Sequence, residues 1–219
     1  MINIPRGWVV AGIVISATSG LSGCQLLTGS QMAQQAPNQT WSRNIAVQPL
    51  AGEVTLACVG TYHCEFTQID DALIINTKTH APTANVKAPI ARKETRSTLT
   101  SPQAVQATLA GTSGMPMLNN YYVRMLPSKR EVHVNFYPEP NTDYTERFAM
   151  IHEFTQSGLY QLKAYRKPAS AHSGSLLDTA SPEPLCVDLL HNKQVLRHFC
   201  KDMNAERQGE FVETRVPVA

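Results

Sequence analysis

A chain of 219 residues with 42% hydrophobic and 16% charged side chains carries enough apolar material to bury a core and too little charge for a disordered chain. Lysine and arginine number 19 against 17 acidic residues, a net charge of +2 with histidine neutral. So even a balance argues against a dedicated nucleic-acid binder, which needs a marked basic excess to neutralise phosphates.

The first 24 residues divide into three zones. A short start has Arg6 as its only charged side chain, an apolar stretch runs from Trp8 to Ala17, and the run Leu21-Ser22-Gly23-Cys24 follows. This is the layout of a secretory signal peptide over 1–23. Residues 7–23 are too short and too rich in Gly, Ser and Thr for a membrane span, which takes about 20 apolar residues. The run 21–24 resembles the lipobox of bacterial lipoproteins, in which small residues before the cysteine admit the lipoprotein signal peptidase. The resemblance is confined to this segment. It implies cleavage before Cys24, palmitate-type acylation of its thiol, and attachment to a membrane through that lipid. A diacyl or triacyl anchor holds durably because each buried methylene adds about 0.8 kcal/mol. Gln25 stands where an Asp in that family favours inner-membrane retention, which points to the outer membrane with the domain in the periplasm; exposure at the cell surface is the alternative.

Residues 24–52, dominated by Gln, Ser, Thr, Asn, Pro and Ala, read as a tether. The remainder, 53–219, reads as a single β-rich domain. Alternating or β-branched runs at 53–59, 64–69 and 72–77 predict a first small sheet. The polar stretch 80–100 carries Lys87, Arg92, Lys93 and Arg96 against Glu94. Of these, Arg92, Lys93 and Arg96 form a candidate binding loop for anionic headgroups or cell-wall polymer. Ser101-Pro102 and Gly111 bracket a segment with the start and stop signals of a short helix over about 102–110.

Four alternating segments between 121 and 166, joined at 127–130, 138–146 and 155–158, read as an antiparallel meander. In 131–137, Val132, Val134 and Phe136 share one face while Glu131, His133 and Asn135 take the other, the pattern of a sheet wet on one side. Phe148, Met150, Phe154, Tyr160, Leu162 and Ala164 continue the buried face. A Ser, Ala and Pro-rich segment, 167–184, precedes a hairpin over 186–200 and a last strand at 211–216. The sum is a mainly β chain, closed as a two-sheet antiparallel β-sandwich with one short helix.

Setting Cys24 aside leaves Cys58, Cys64, Cys186 and Cys200, an even number that predicts two disulfides in an exported chain. The local pairing, Cys58–Cys64 and Cys186–Cys200, is favoured because each pair brackets a turn-like segment. A three-residue loop Asn192-Lys193-Gln194 sets Cys186 opposite Cys200, Asp188 opposite His198 and Leu190 opposite Leu196. A two-residue turn Asn192-Lys193 shifts that register by one. A rival metal or redox site on Cys200, His198 and His191 would need thiolates, which oxidising conditions remove. No metal or cofactor is expected.

No Ser-x-x-Lys, Gly-x-Ser-x-Gly or His-Glu-x-x-His motif occurs. Alternation points His152 inward beside Phe148 and Met150, as a core or edge histidine. Glu139, Asn141, Asp143 and Glu146 offer oxygen ligands, but Tyr144 stands where a calcium loop requires glycine. The expectation is therefore a non-catalytic binding, accessory or scaffold lipoprotein whose partner is an envelope protein or cell-wall glycan. The alternatives are a lipid-anchored periplasmic hydrolase using His133 or His152, and a surface-exposed antigen or adhesin. Replacing the lipid-bearing residue, Cys24→Ser, should abolish incorporation of labelled palmitate and move the protein from the membrane to the soluble fraction; an unlabelled wild-type protein would refute the lipobox reading.

Overall fold

The computed structural model describes residues 47, 49–60, 62–83, 97, 99–112, 115, 118–138, 142–166, 184–201 and 209–216. Their regular elements are all strands: β1 (Val54–Gly60), β2 (His63–Ile69), β3 (Ala72–Leu73), β4 (Ile75–Asn76), β5 (Ala81–Pro82), β6 (Val105–Thr112), β7 (Asn119–Met125), β8 (Lys129–Tyr137), β9 (Glu146–Glu153), β10 (Gly158–Arg166), β11 (Leu185–His191), β12 (Gln194–Lys201) and β13 (Phe211–Thr214). A seven-stranded sheet has the order β13-β12-β11-β10-β1-β7-β6, a four-stranded sheet the order β3-β2-β8-β9, and β4 and β5 form a separate ribbon. One continuous core lies between the two larger sheets, with Leu56, Val123, Leu162 and Val187 from the first and Phe66, Val134, Phe136 and Phe148 from the second. The predicted two-sheet sandwich is thus formed, mostly of antiparallel pairs, with β1 and β10 pairing in parallel.

The expected helix over 102–110 is a strand. Ser101 to Ala104 make a turn, with the Ala104 amide donating to the Ser101 carbonyl at 2.9 Å and the Gln103 amide to Ser101 Oγ at 3.3 Å. From Val105 the chain pairs with β7 along its whole length. The Ser-Pro start that caps a helix serves a turn equally well, and a helix this short is marginal without packing, so tertiary pairing decides.

The expected meander over 121–166 is also redistributed. Only β8 and β9 pair as neighbours, whereas β7 and β10 flank β1 in the other sheet. Gly158, at φ +129°, makes the change of layer, and its amide donates to the Glu53 carbonyl at 2.8 Å. At the other crossing Gly60 has φ +110°, and a Cβ there would lie 3.2 Å from the Ala164 carbonyl oxygen, so only glycine fits without strain.

Both predicted disulfides are present, Cys58–Cys64 joining β1 to β2 across the sandwich and Cys186–Cys200 joining β11 to β12. The second hairpin turns on two residues, Asn192 and Lys193, both at positive φ, the conformation that suits the right-handed strand twist. A bulge beside Leu189 then restores the register: His191 faces Gln194 and Leu190 faces Val195, yet Asp188 faces His198 and Cys186 faces Cys200. Leu190 is therefore not opposite Leu196, which is the extra residue of the bulge and is 38% exposed.

Charge is buried where β1 begins. Glu53 and Arg124 of β7 are fully and almost fully buried and pair through two contacts, Nε to Oε2 at 2.7 Å and Nη2 to Oε1 at 3.1 Å. Removing one partner strands the other in a low-dielectric interior. Arg124→Leu alone should cost about 3–5 kcal/mol in urea unfolding, and Glu53→Leu/Arg124→Leu together distinctly less than the single change. Equal loss in the single and double variants would show that packing, and not the stranded carboxylate, carries the effect.

Candidate functional site

The outer face of the four-stranded sheet is polar because the inner face takes every second residue. Cys64 and Phe66 of β2 and Val132, Val134 and Phe136 of β8 point to the core, which leaves His63 and Glu65 on one strand and His133, Asn135 and Tyr137 on the next facing outward. A bulge between Phe66 and Gln68 gives Thr67 an extra position on β2. From β9 come Arg147 and Ala149, which alternate with the buried Phe148 and Met150.

Two segments wall this face into a cleft of about 600 Å³. One is the turn between β4 and β5, which brings Thr77 and His80. Asn76 holds it: its Oδ1 accepts from the amides of Lys78 (2.9 Å) and Thr79 (3.3 Å), and its carbonyl accepts from the His80 amide at 2.7 Å. His80 itself sits at φ +54°. The other is the approach to β9, which contributes Thr142 and Thr145. Hydroxyl, amide, imidazole and guanidinium groups thus converge on one space from strands and from both flanking turns.

A buried network closes one end. The Glu65 side chain is fully buried, accepts from the Tyr137 hydroxyl at 2.6 Å, and lies 3.0 Å from His80 Nδ1 through each of its oxygens. Against a carboxylate, Nδ1 is the donor, and the His80 ring lines the cleft. Burial, and then the hydrogen bond and charge of Glu65, push the Tyr137 hydroxyl upward, so it remains a donor. His63 packs behind, its ring centroid 5.8 Å from that of Tyr137. Burial lowers its pKa from 6.5 to about 4, a hydrogen bond to Asn120 opposing and the charge of His80 adding to the fall.

His133 lines the cleft and pairs with Glu131, Nε2 to Oε1 at 2.8 Å. His152 is elsewhere, half-buried with its ring edge-to-face with Phe154 (centroids 4.6 Å apart) and Tyr160 (6.0 Å); burial and then the Arg197 charge lower its pKa. The strand register sets His133 opposite Ala149 and His152 opposite Arg130, so the two histidines do not share a site. No serine or cysteine is among the described residues that line the cleft. His191 stacks on Tyr160 at 4.3 Å and is not part of the Cys186, His198 and Cys200 group. Cys24, Arg92, Lys93, Arg96, Glu139 and Asn141 lie outside the described residues, and Glu146 pairs with Lys201.

Sequence reasoning missed Glu65 and His80. The alternation His63-Cys64-Glu65-Phe66 was the available signal for a polar outer face; nothing local marks His80, which reaches Glu65 only through the fold. No protein-family model, curated protein or solved structure matches the chain at a significant level.

The His63 shift makes stability depend on pH. The unfolded imidazole takes a proton near 6.5 and the folded one only near 4, so the stabilisation is complete above pH 6.5 and is lost as the pH falls towards 4. Between pH 7 and 4.5, wild type should lose roughly 2–3 kcal/mol more than His63→Asn in urea unfolding. Parallel pH profiles for the two proteins would refute the assignment.

Proposed function

We propose that this chain is a lipid-anchored envelope lipoprotein whose β-domain is a non-catalytic binding module, and that the cleft on its smaller sheet takes a polar, hydroxyl-rich ligand of the cell-wall glycan class. The observation that carries the reading is the cleft itself, about 600 Å³ and bordered by Thr67, His80, Asn135, Thr142, Thr145 and Arg147. That size suits a small ligand, and neutral donors and acceptors from several segments can each meet a sugar hydroxyl. The resemblance of 21–24 to a lipobox supports a lipid anchor on Cys24, Gln25 supports the outer membrane with the domain in the periplasm, and the tether supports a domain held away from the bilayer. A protein partner is the other outcome of the same experiments, and protease shaving of intact cells separates the periplasmic reading from exposure at the cell surface.

One observation favours a second reading, hydrolysis: His80 has the carboxylate of Glu65 behind Nδ1, the arrangement that orients a general base. This differs from a hydrolase built on His133 or His152.

Titration calorimetry of the unlipidated mature protein with soluble peptidoglycan fragments should give saturable binding, weakened at least tenfold by Asn135→Ala or Arg147→Ala with unchanged thermal unfolding. Fragments that bind neither protein, or bind both equally, would overturn the glycan assignment, and crosslinking in intact cells would then test for a protein partner. Turnover of the fragments, lost in His80→Gln, would establish the hydrolase reading.

A further inference from the structure

We infer that Cys186, Cys200 and His198 form a zinc site that the cross-strand disulfide keeps closed and its reduction opens. The hairpin of β11 and β12 places Cys186 opposite Cys200 and, two residues along, Asp188 opposite His198. His198 Nδ1 lies 2.5 Å from Asp188 Oδ1, and His198 Nε2 lies 3.2 Å from Cys200 Sγ. The Tyr165 hydroxyl supports both groups, 3.4 Å from the same carboxylate oxygen and 3.5 Å from Nδ1.

A disulfide requires none of this. Asp188 and His198 are only 8% and 7% exposed, and burying a carboxylate with an imidazole costs free energy that two apolar side chains of similar size would not. The arrangement does match the carboxylate–histidine–zinc pattern. The carboxylate holds the proton on Nδ1 and fixes the ring, and the lone pair of Nε2 is left directed at the sulfur side. One ligand atom from each of Cys186, His198 and Cys200 lies within 4.8 Å of the others. A tetrahedral zinc ion with bonds of about 2.3 Å to sulfur and 2.0 Å to nitrogen asks for separations of under about 4 Å, within reach of small side-chain rotations.

The chemistry balances with an external dithiol as reductant. The dithiol passes two electrons and two protons to the S–S bond, which breaks to leave two thiols, and itself closes to a disulfide. Zinc then displaces both thiol protons to solvent. The two thiolates neutralise its charge, and Asp188 nearby adds to the preference for a divalent over a monovalent ion. Cys186 is fully buried and Cys200 half-buried, so the fourth position opens to water beside Cys200.

The unlipidated mature protein, reduced with a phosphine and titrated with Co2+, should develop a thiolate-to-cobalt charge-transfer band that Zn2+ abolishes, while the oxidised protein develops none. His198→Ala should keep both thiols and weaken Co2+ binding at least tenfold, and Asp188→Asn should weaken it by about tenfold through loss of the orienting carboxylate. Equal affinity in wild type and His198→Ala would overturn the inference. So would a band that persists in Cys186→Ser/Cys200→Ser, which would assign it to Cys58 and Cys64, or loss of the sheet signal in circular dichroism on reduction, since the site requires the folded hairpin.

Discussion

The crossing from β1 to β2 is the constraint on which the rest of the structure depends. Within the few residues between Cys58 and Cys64 the chain leaves the larger sheet and enters the smaller one, and the disulfide ties the two layers at that point. Its loop is short, so its effect on the entropy of the unfolded chain is only about 2 kcal/mol. Its larger role is to set phase. With Cys64 held against the core, strand alternation puts Phe66 inside and His63 and Glu65 outside, which sets the outward groups of β2.

Buried charge is distributed where strands begin and change direction. Glu53 and Arg124 lock the start of β1 to β7. Arg130 pairs with Asp70 at 2.6 Å and donates to the Pro102 carbonyl, while Asp70 Oδ1 accepts from the Glu131 amide, so two turns meet the start of β8 at one guanidinium. On the far side, Arg197 donates to both oxygens of Glu213 and to the Ile151 carbonyl, and Lys201 pairs with Glu146, which binds the edge strand β9 to β12 and β13. Phe148 packs edge-to-face with Phe199 and Phe211 beneath these contacts. Polar bridges at the rim and aromatic packing inside therefore close the same edge of the sandwich, and the edge strand is partly protected from pairing with another chain.

The two histidine and carboxylate pairs share a construction. In each, a buried acid grips Nδ1, His80 by Glu65 and His198 by Asp188, and a tyrosine hydroxyl, Tyr137 or Tyr165, adds a second contact. Their surroundings differ. His80 borders an open polar cleft, whereas His198 faces the Cys200 sulfur two residues along its own strand, and the chemistry open to each differs accordingly.

Composition and alternation by themselves determined the fold class, the two disulfide pairs, the inner faces of β8 and β9 and the wet face opposite, because these depend on period-two patterning and on residue types close together along the chain. The same local signals misled at 102–110, where a serine-proline start fits both helix and turn, and over 121–166, where nothing in the strands says that the chain changes sheet after β7 and again before β10. The register of the last hairpin combined both sequence readings, since a bulge at Leu196 reconciles a two-residue turn with Cys186 facing Cys200. The candidate sites were the least legible. Glu65 meets His80 and Tyr137 across separations of 15 and 72 residues, and only the packing of a turn and two strands makes them neighbours. A short-range pattern can specify which side of a strand a residue occupies, but which other strand's residues share that side is decided by the tertiary structure, where burial of the whole core selects one pairing of strands.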